Sequence, residues 1–327
     1  MEVPILMYHY VRPSDKRLSK RHNILHLDKF CSQLKFICET FNVVTGQELT
    51  ESNWEYIKNP DCIWLTFDDG YKDCITYVLP ELLKVGARAT FYIPTEAIFG
   101  RRLLDVNKIH ILLSGTKTPK ELVRICADVF NDLNIGGSIN STFDDMFLQF
   151  GIANTWNDAE TEFLKKIFQK VLPTDLRKQL LDTVFTQLVT RSESDWVDEF
   201  YLTPDDVARL NKCGMEIGSH GHSHDWLENL NSTQQISNLE ESFRLIESQV
   251  GNMGYRTMSY PYGSYNSETL RILSNLSVNS AVVFNENKPA LIDKSIGKHL
   301  ELDRIDIMFF DQFIRDEFAA KRYRINY

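Results

Sequence analysis

Short, almost wholly apolar runs alternate along the chain with longer stretches whose apolar residues recur at helical spacing. Ile5-Leu6-Met7-Tyr8, Cys62-Ile63-Trp64-Leu65-Thr66-Phe67, Ala89-Thr90-Phe91-Tyr92-Ile93, Met215-Glu216-Ile217-Gly218, Ser280-Ala281-Val282-Val283-Phe284 and Leu302 to Ile307 read as strands. The run from Cys62 is nearly all apolar, as a strand buried on both faces should be. Leu27 to Phe41, Tyr77 to Val85, Pro204 to Lys212, Thr233 to Val250 and Ser267 to Asn275 read as helices. Gly86 stands where it can end the second of these. The alternation predicts an α/β fold with a parallel sheet covered by helices, either open or closed into a barrel.

One region breaks the rhythm. Residues 101–200 contain no convincing strand, only helical patterns over Asp105 to Leu113, Pro119 to Leu133, Ala159 to Leu172 and Thr174 to Val189. Leu172-Pro173-Thr174-Asp175 reads as a helix stop followed by a new start. The expected organisation is an α/β body from residues 1–100 and 201–327, with 101–200 as a large helical insertion or lid. No Gly/Ser/Pro linker marks its edges, so a separate second domain is the weaker reading.

Composition narrows the classes. The 327 residues suffice for one large domain or two ordinary ones, and 43% hydrophobic with 25% charged residues excludes disorder for most of the chain. The formal net charge of −9 argues against nucleic acid as a partner, since phosphate contacts need clustered Lys and Arg. No run approaches the roughly 20 apolar residues of a membrane span. The opening MEVPILMYHYVRP lacks the pattern of a secretory signal, so a cytoplasmic location is expected if Met1 is the native start. Cys31, Cys38, Cys62, Cys74, Cys126 and Cys213 are scattered without metal-binding spacing and fit reduced, buried thiols.

Four places could carry chemistry. Thr66-Phe67-Asp68-Asp69-Gly70 puts two carboxylates at the end of a strand, where Gly70 permits a turn that lets both reach one site; Asp-Gly is equally plain turn chemistry. Gly218-Ser219-His220-Gly221-His222-Ser223-His224 packs three of the eight histidines into five residues. Imidazole ligates Zn, Co, Ni and Fe, and a polar loop with incidental histidines is the blander alternative. One Asp with two His would leave coordination positions open, as catalytic metal sites do. A second, unligated carboxylate beside them is what a general base requires. Ser259-Tyr260-Pro261-Tyr262-Gly263-Ser264-Tyr265-Asn266 could line a sugar-sized groove and present a backbone N–H to an oxyanion, or be an ordinary Pro-Gly turn. His9 directly follows the first strand, where a lone histidine is more often structural than catalytic.

TFDDG (Thr66 to Gly70), SHGHSH (Ser219 to His224) and YPYG (Tyr260 to Gly263), in this order, resemble the polysaccharide deacetylases of carbohydrate esterase family 4. The resemblance covers about residues 1–100 and 200–310 and leaves out the helical stretch. It implies a distorted (β/α) barrel that removes acetyl groups from N-acetylated sugars with a divalent metal, commonly zinc, with cobalt or nickel as alternatives. It further implies Asp68 as general base, Asp69, His220 and His224 as metal ligands, and the Tyr262 N–H as an oxyanion donor. His222 falls at a variable position of the family's pattern. Ser259 stands where the family often has a base-orienting arginine, so Arg304, or more weakly Arg256, is expected to substitute. No late Leu-x-His motif is convincing around His299. Leu6-Met7-Tyr8-His9 looks like that motif moved to the front, as in the circularly permuted poly-N-acetylglucosamine deacetylases, which favours His9 over His299 as general acid. A glycan, lipid-linked or nucleotide-linked precursor is the expected substrate. The helical insertion is expected to recognise the rest of the substrate, to mediate homo-oligomerisation or, equally, to be surface decoration packed on the barrel. A related amide hydrolase (deformylase or cyclic imide hydrolase) and a non-catalytic carbohydrate-binding barrel are the rival readings.

Overall fold

The computed structural model describes residues 2–13, 24–51, 62–115, 117–154, 157–292 and 299–319. Met1 and residues 320–327, within the segments expected to form the barrel, lie outside the described residues. The chain divides into two compact units, with one boundary at Arg101/Arg102 and the other at Val197/Asp198.

Among the described residues, the main sheet of the first unit has nine strands: β1 (Ile5–Tyr8), β2 (Asn42–Val44), β3 (Cys62–Phe67), β4 (Thr90–Ile93), β5 (Glu216–Ser219), β6 (Thr257–Ser259), β7 (Ser280–Val283), β8 (His299–Asp303) and β9 (Ile305–Asp306). They run β8-β7-β6-β5-β4-β3-β1-β9, with β2 pairing β3 off this path. Every pairing is parallel. The two ends of the order, β8 and β9, are separated only by Arg304, so one kinked segment pairs β7 on one side and β1 on the other. The sheet is thereby closed into a nearly complete barrel, the distorted (β/α) barrel that the motifs imply.

Side-chain alternation then decides what faces the axis. Ile5, Cys62, Trp64, Tyr92, Val282 and Leu302 form one buried cluster. Met258, Ala281 and Val283, of opposite parity, pack outward with Leu239 and Phe243 of the helix Ser232–Val250 and Leu273 of the helix Ser267–Asn275. At Gly218 an added Cβ would lie 2.5 Å from the Tyr92 ring, so the aromatic side chain takes the space that a side chain there would fill. From the Ser280–His299 pair to the Val282–Leu302 pair, β7 advances two residues while β8 advances three. This bulge resets the alternation, so that Leu302 and then Arg304 turn inward.

Most elements sit where the periodicity places them, including the helices Pro204–Lys212 and Ser267–Asn275. The Tyr77–Val85 helix is extended backwards by a π-turn over Cys74–Val78. The expected strand Leu302 to Ile307 resolves into β8 and β9, interrupted at Arg304. β2 and β6 escape sequence detection because each is only three residues long, too short for a period to show.

The second unit, Arg102–Val197, is helical. Its main helices are Asp105–Ser114, Pro119–Asp132, Phe143–Phe150, Ala159–Lys166 and Thr174–Leu188. Thr118 with Glu121 and Thr142 with Asp145 form reciprocal caps that define two of the helix starts. Leu122, Cys126, Phe130, Phe163, Leu180 and Val184 are buried in it. Lys108 is buried too, its ammonium compensated by Asp182 at 2.6 Å. Among the described residues, no helix is long and apolar enough to cross a membrane.

Candidate metal centre and catalytic site

The parity that turns Trp64 inward also turns Thr66 and Asp68 inward at the carboxyl end of β3. In parallel barrels this is the end where function collects. Asp69 has the opposite parity. It reaches the same side because its backbone is left-handed (φ 68°) and Gly70 follows at φ 59°. The positive φ favours glycine here, and an added Cβ would lie 2.9 Å from Ile98 Cδ1 and displace the tip of that side chain. After β5, His220 keeps inward parity, and His224 is brought back by its own positive φ of 55°. Among the described residues eight non-glycines have positive φ, and Asp69, His224 and Tyr262 are three of them. Each such residue costs about 1–2 kcal/mol, and clustering of that strain is typical of functional sites.

Asp69, His220 and His224 converge, with one ligand atom from each lying within 4.8 Å of the others. Asp69 Oδ1 is 3.3 Å from His220 Nε2 and 3.2 Å from His224 Nε2. All three residues are buried. Two donors on a tetrahedral zinc lie about 3.3 Å apart, given metal–ligand distances of about 2.0–2.1 Å. Asp69 Oδ1 is fully buried and makes no well-aligned hydrogen bond. His220 Nδ1 lies 2.8 Å from the Ser259 carbonyl oxygen, which can only accept. The proton is therefore on Nδ1, and a neutral ring turns its Nε2 lone pair toward Asp69. Buried lone pairs at this separation need positive charge between them, supplied by ring protons or by a shared cation. The donor set therefore fits a divalent metal with open positions.

Asp68 faces a different partner. Arg304 Nη1 donates to Oδ1 at 2.8 Å and Nη2 to Oδ2 at 2.7 Å, both side chains being 2% exposed. Nη2 also donates to Ser259 Oγ at 2.8 Å, and Ser259 Oγ–H donates to Asp68 Oδ2 at 3.1 Å. Burial pushes the Asp68 carboxyl up, but the Arg304 charge, followed by His220, holds it below the usual carboxylate value. Burial also pushes Asp69 up, and its contacts with His220 and His224 hold it well below. For His220 burial pulls downward, while Asp68 and then Asp69 raise it.

His9 directly follows β1, whose Tyr8 pairs with Phe67. It is half-buried, and close enough to Asp68 and Asp69 to favour their ionised forms. Tyr262 sits between two rings: Trp226 stacked at 4.8 Å and 7°, and His224 edge-on at 4.7 Å and 74°. Three residues considered from the sequence lie elsewhere. His299 opens β8, and its N–H donates to Asn279, at the end of the parallel barrel opposite Asp68. Arg256 precedes β6, also at that far end, and binds Glu247 and the Leu276 carbonyl. His222 turns away onto Thr95 Oγ1 at 2.9 Å. Sequence reasoning missed Ser259 as a contributor. There it stands only for a missing arginine, whereas its hydroxyl touches Asp68 and its carbonyl accepts a hydrogen bond from His220 Nδ1–H. Trp226 was also missed, because a tryptophan two residues after a histidine carries no pattern of its own.

The model of the polysaccharide deacetylase family matches residues 55–123 and 135–281. Among curated protein sequences, none matches the chain. Solved structures share the fold, among them the following three. The Streptococcus pyogenes deacetylase PplD is 19% identical, with 94% of this chain and 92% of that one covered at a TM-score of 0.55. IcaB from Ammonifex degensii is 14% identical, with 96% of each covered at 0.56. A de-N-acetylase from Aggregatibacter actinomycetemcomitans is 13% identical, with 96% of this chain and 100% of that one covered at 0.53.

Proposed function

Because this chain belongs to the polysaccharide deacetylase family, we propose that it hydrolyses the N-acetyl group of an amino sugar carried in a glycan, a lipid-linked or a nucleotide-linked precursor. The observation that carries this reading is the split fate of two adjacent carboxylates. Asp69 converges with two imidazoles, while Asp68 is held apart on Arg304.

Asp69, His220 and His224 would hold a divalent cation, zinc by preference and cobalt or nickel as alternatives. When bound, such a cation polarises an acyl oxygen and makes a water easier to ionise. Asp68 accepts the proton of the attacking water. Arg304 keeps it ionised, which secures the base form while weakening it as a base. The Tyr262 N–H donates to the oxyanion that develops on the acetyl carbonyl; one such donor is typically worth about 3–4 kcal/mol. His9 gives its proton to the departing nitrogen, which would otherwise leave as a poor amide anion. The two-ring clamp on Tyr262 supports its assigned role, because a residue in left-handed backbone needs surroundings that hold it there.

Acetate release from a panel of N-acetylated substrates, with metal content measured on the same samples, tests the assignment. The panel comprises UDP-N-acetylglucosamine, a lipid-linked N-acetylhexosamine and a β-1,6-linked N-acetylglucosamine pentamer. Acetate with stoichiometric metal is the expected result. Formate from N-formyl analogues, or hydrolysis of cyclic imides without acetate release, would move the protein to a related amide hydrolase. Sugar binding without turnover would leave a carbohydrate-binding barrel.

A further inference from the structure

The loops after β1 and β3 carry His9 and the Asp68–Asp69 pair, and they are tied together beyond the strand ends. The Asp68 N–H donates to the Tyr8 carbonyl at 2.9 Å. One residue past His9, Tyr10 stacks on Tyr71 with centroids 4.0 Å apart and planes 16° from parallel. The Val11 N–H donates to Asp73 Oδ2 at 3.1 Å. Arg12 then closes a fork on the same carboxylate, Nε to Oδ2 at 2.8 Å and Nη2 to Oδ1 at 2.8 Å. Its guanidinium also lies over the Tyr10 ring, 5.0 Å from the centroid. The Arg12 and Asp73 side chains are only 9% and 6% exposed.

A buried ion pair adds little net stability over apolar residues of the same size, because desolvation offsets the attraction. What a two-pronged pair does supply is geometry, since two parallel bonds fix orientation as well as distance. This fork joins the residue three places beyond His9 to the residue four places beyond Asp69. β1 ends at Tyr8 and the next pairing joins Val11–Arg12 to Leu25–His26, outside the barrel sheet, so the barrel pairing alone does not hold His9, and the fork is what ties this segment to the one after Asp69.

We propose that Arg12 and Asp73 form a positioning pair that sets the placement of His9 relative to Asp68 and Asp69. The inference rests on the reading of His9 as the proton donor. Neither residue of the pair touches the reacting atoms. Losing the fork lets the loop after β1 relax, and a displacement of about 1 Å can cost about 100-fold in rate.

Two substitutions test it in two backgrounds. Asp73→Asn keeps an acceptor for the Val11 N–H and removes the charge. Arg12→Lys keeps the charge and removes the fork. Each is made in the wild type and in His9→Ala, and kcat for acetate release is measured per folded, metal-loaded molecule on the best substrate of the panel above. In the wild-type background each should lower kcat about 10- to 100-fold with KM and metal content unchanged. In the His9→Ala background the further loss should be under about twofold, because residues acting through one another are non-additive. A pair that only holds the fold together would lower kcat by the same factor in both backgrounds, and that result overturns the proposal, as does full kcat in both single variants. Full kcat in His9→Ala itself would instead sink the proton-donor reading, and this proposal with it.

Discussion

Replacing Arg304 by methionine should reverse the sign with which Asp68 contributes to pH-dependent stability. Arg304 and Asp68 are each 2% exposed and share bonds of 2.8 and 2.7 Å. Removing one partner of such a pair costs about 3–5 kcal/mol, because an uncompensated charge stays buried. The carboxyl can escape that cost by taking a proton. In the wild type its folded pKa is depressed, so it adds stability above the unfolded pKa of about 3.9, and that stability is lost as pH falls through the folded value. Without Arg304, burial becomes the dominant influence and the folded pKa rises above the unfolded one. The variant is then penalised as pH rises through the new value, by up to about 1.4 kcal/mol per pH unit. The stability gap between wild type and Arg304→Met should therefore be smallest near pH 4 and widen toward pH 7. Denaturant unfolding of chelator-treated protein across that range measures it, with Asp68→Asn/Arg304→Met as control. The double variant should recover much of the loss and lose the pH dependence. A gap that stays flat with pH, or remains below about 1 kcal/mol at neutral pH, would refute the reasoning that Arg304 keeps Asp68 ionised.

The remaining expectations are simpler. Asp69→Ala should lose bound metal and acetate release together, and a chelator should do the same reversibly; activity persisting in fully metal-free protein would count against the proposed centre. His9→Ala should keep its metal and lose about 100-fold or more in kcat, whereas His299→Ala, altered at the far end of the barrel, should keep wild-type kcat at matched folded concentration. Gly70→Ala should destabilise by at least about 1–2 kcal/mol from its positive φ alone, with further loss from the contact at Ile98, read as a lower melting temperature and reduced metal occupancy.

Much of the site was legible because its motifs are local. Asp68 and Asp69 are neighbours, His220 and His224 lie within one loop, and each motif follows an apolar run that ends at the functional end of a barrel. The strands themselves were legible through their apolar runs, except β2 and β6, which are too short to show a period. The contributions of Ser259 and Arg304 were less accessible. Arg304 could be named only as a candidate substitute for the missing arginine, with Arg256 as the weaker one, and its inward turn depends on a bulge in β8 that no pattern announces. The preference for His9 over His299 rested on motif likeness, while their separation to the two ends of a parallel barrel follows from which strand each one ends or begins.

Local chemistry in the chain was enough to settle that this is an α/β protein with strand-end carboxylates and a histidine loop, because alternation, turn residues and motif spacing act over a few positions. Motif likeness anticipated Asp69 beside the imidazoles and Arg304 beside the other carboxylate, but the contacts themselves, and the clamp on the loop behind His9, were decided by the left-handed turn at Asp69, barrel closure and register. Those contacts join residues as distant as Asp68 and Arg304, and their pairing depends on how the strands align rather than on the residues that flank them.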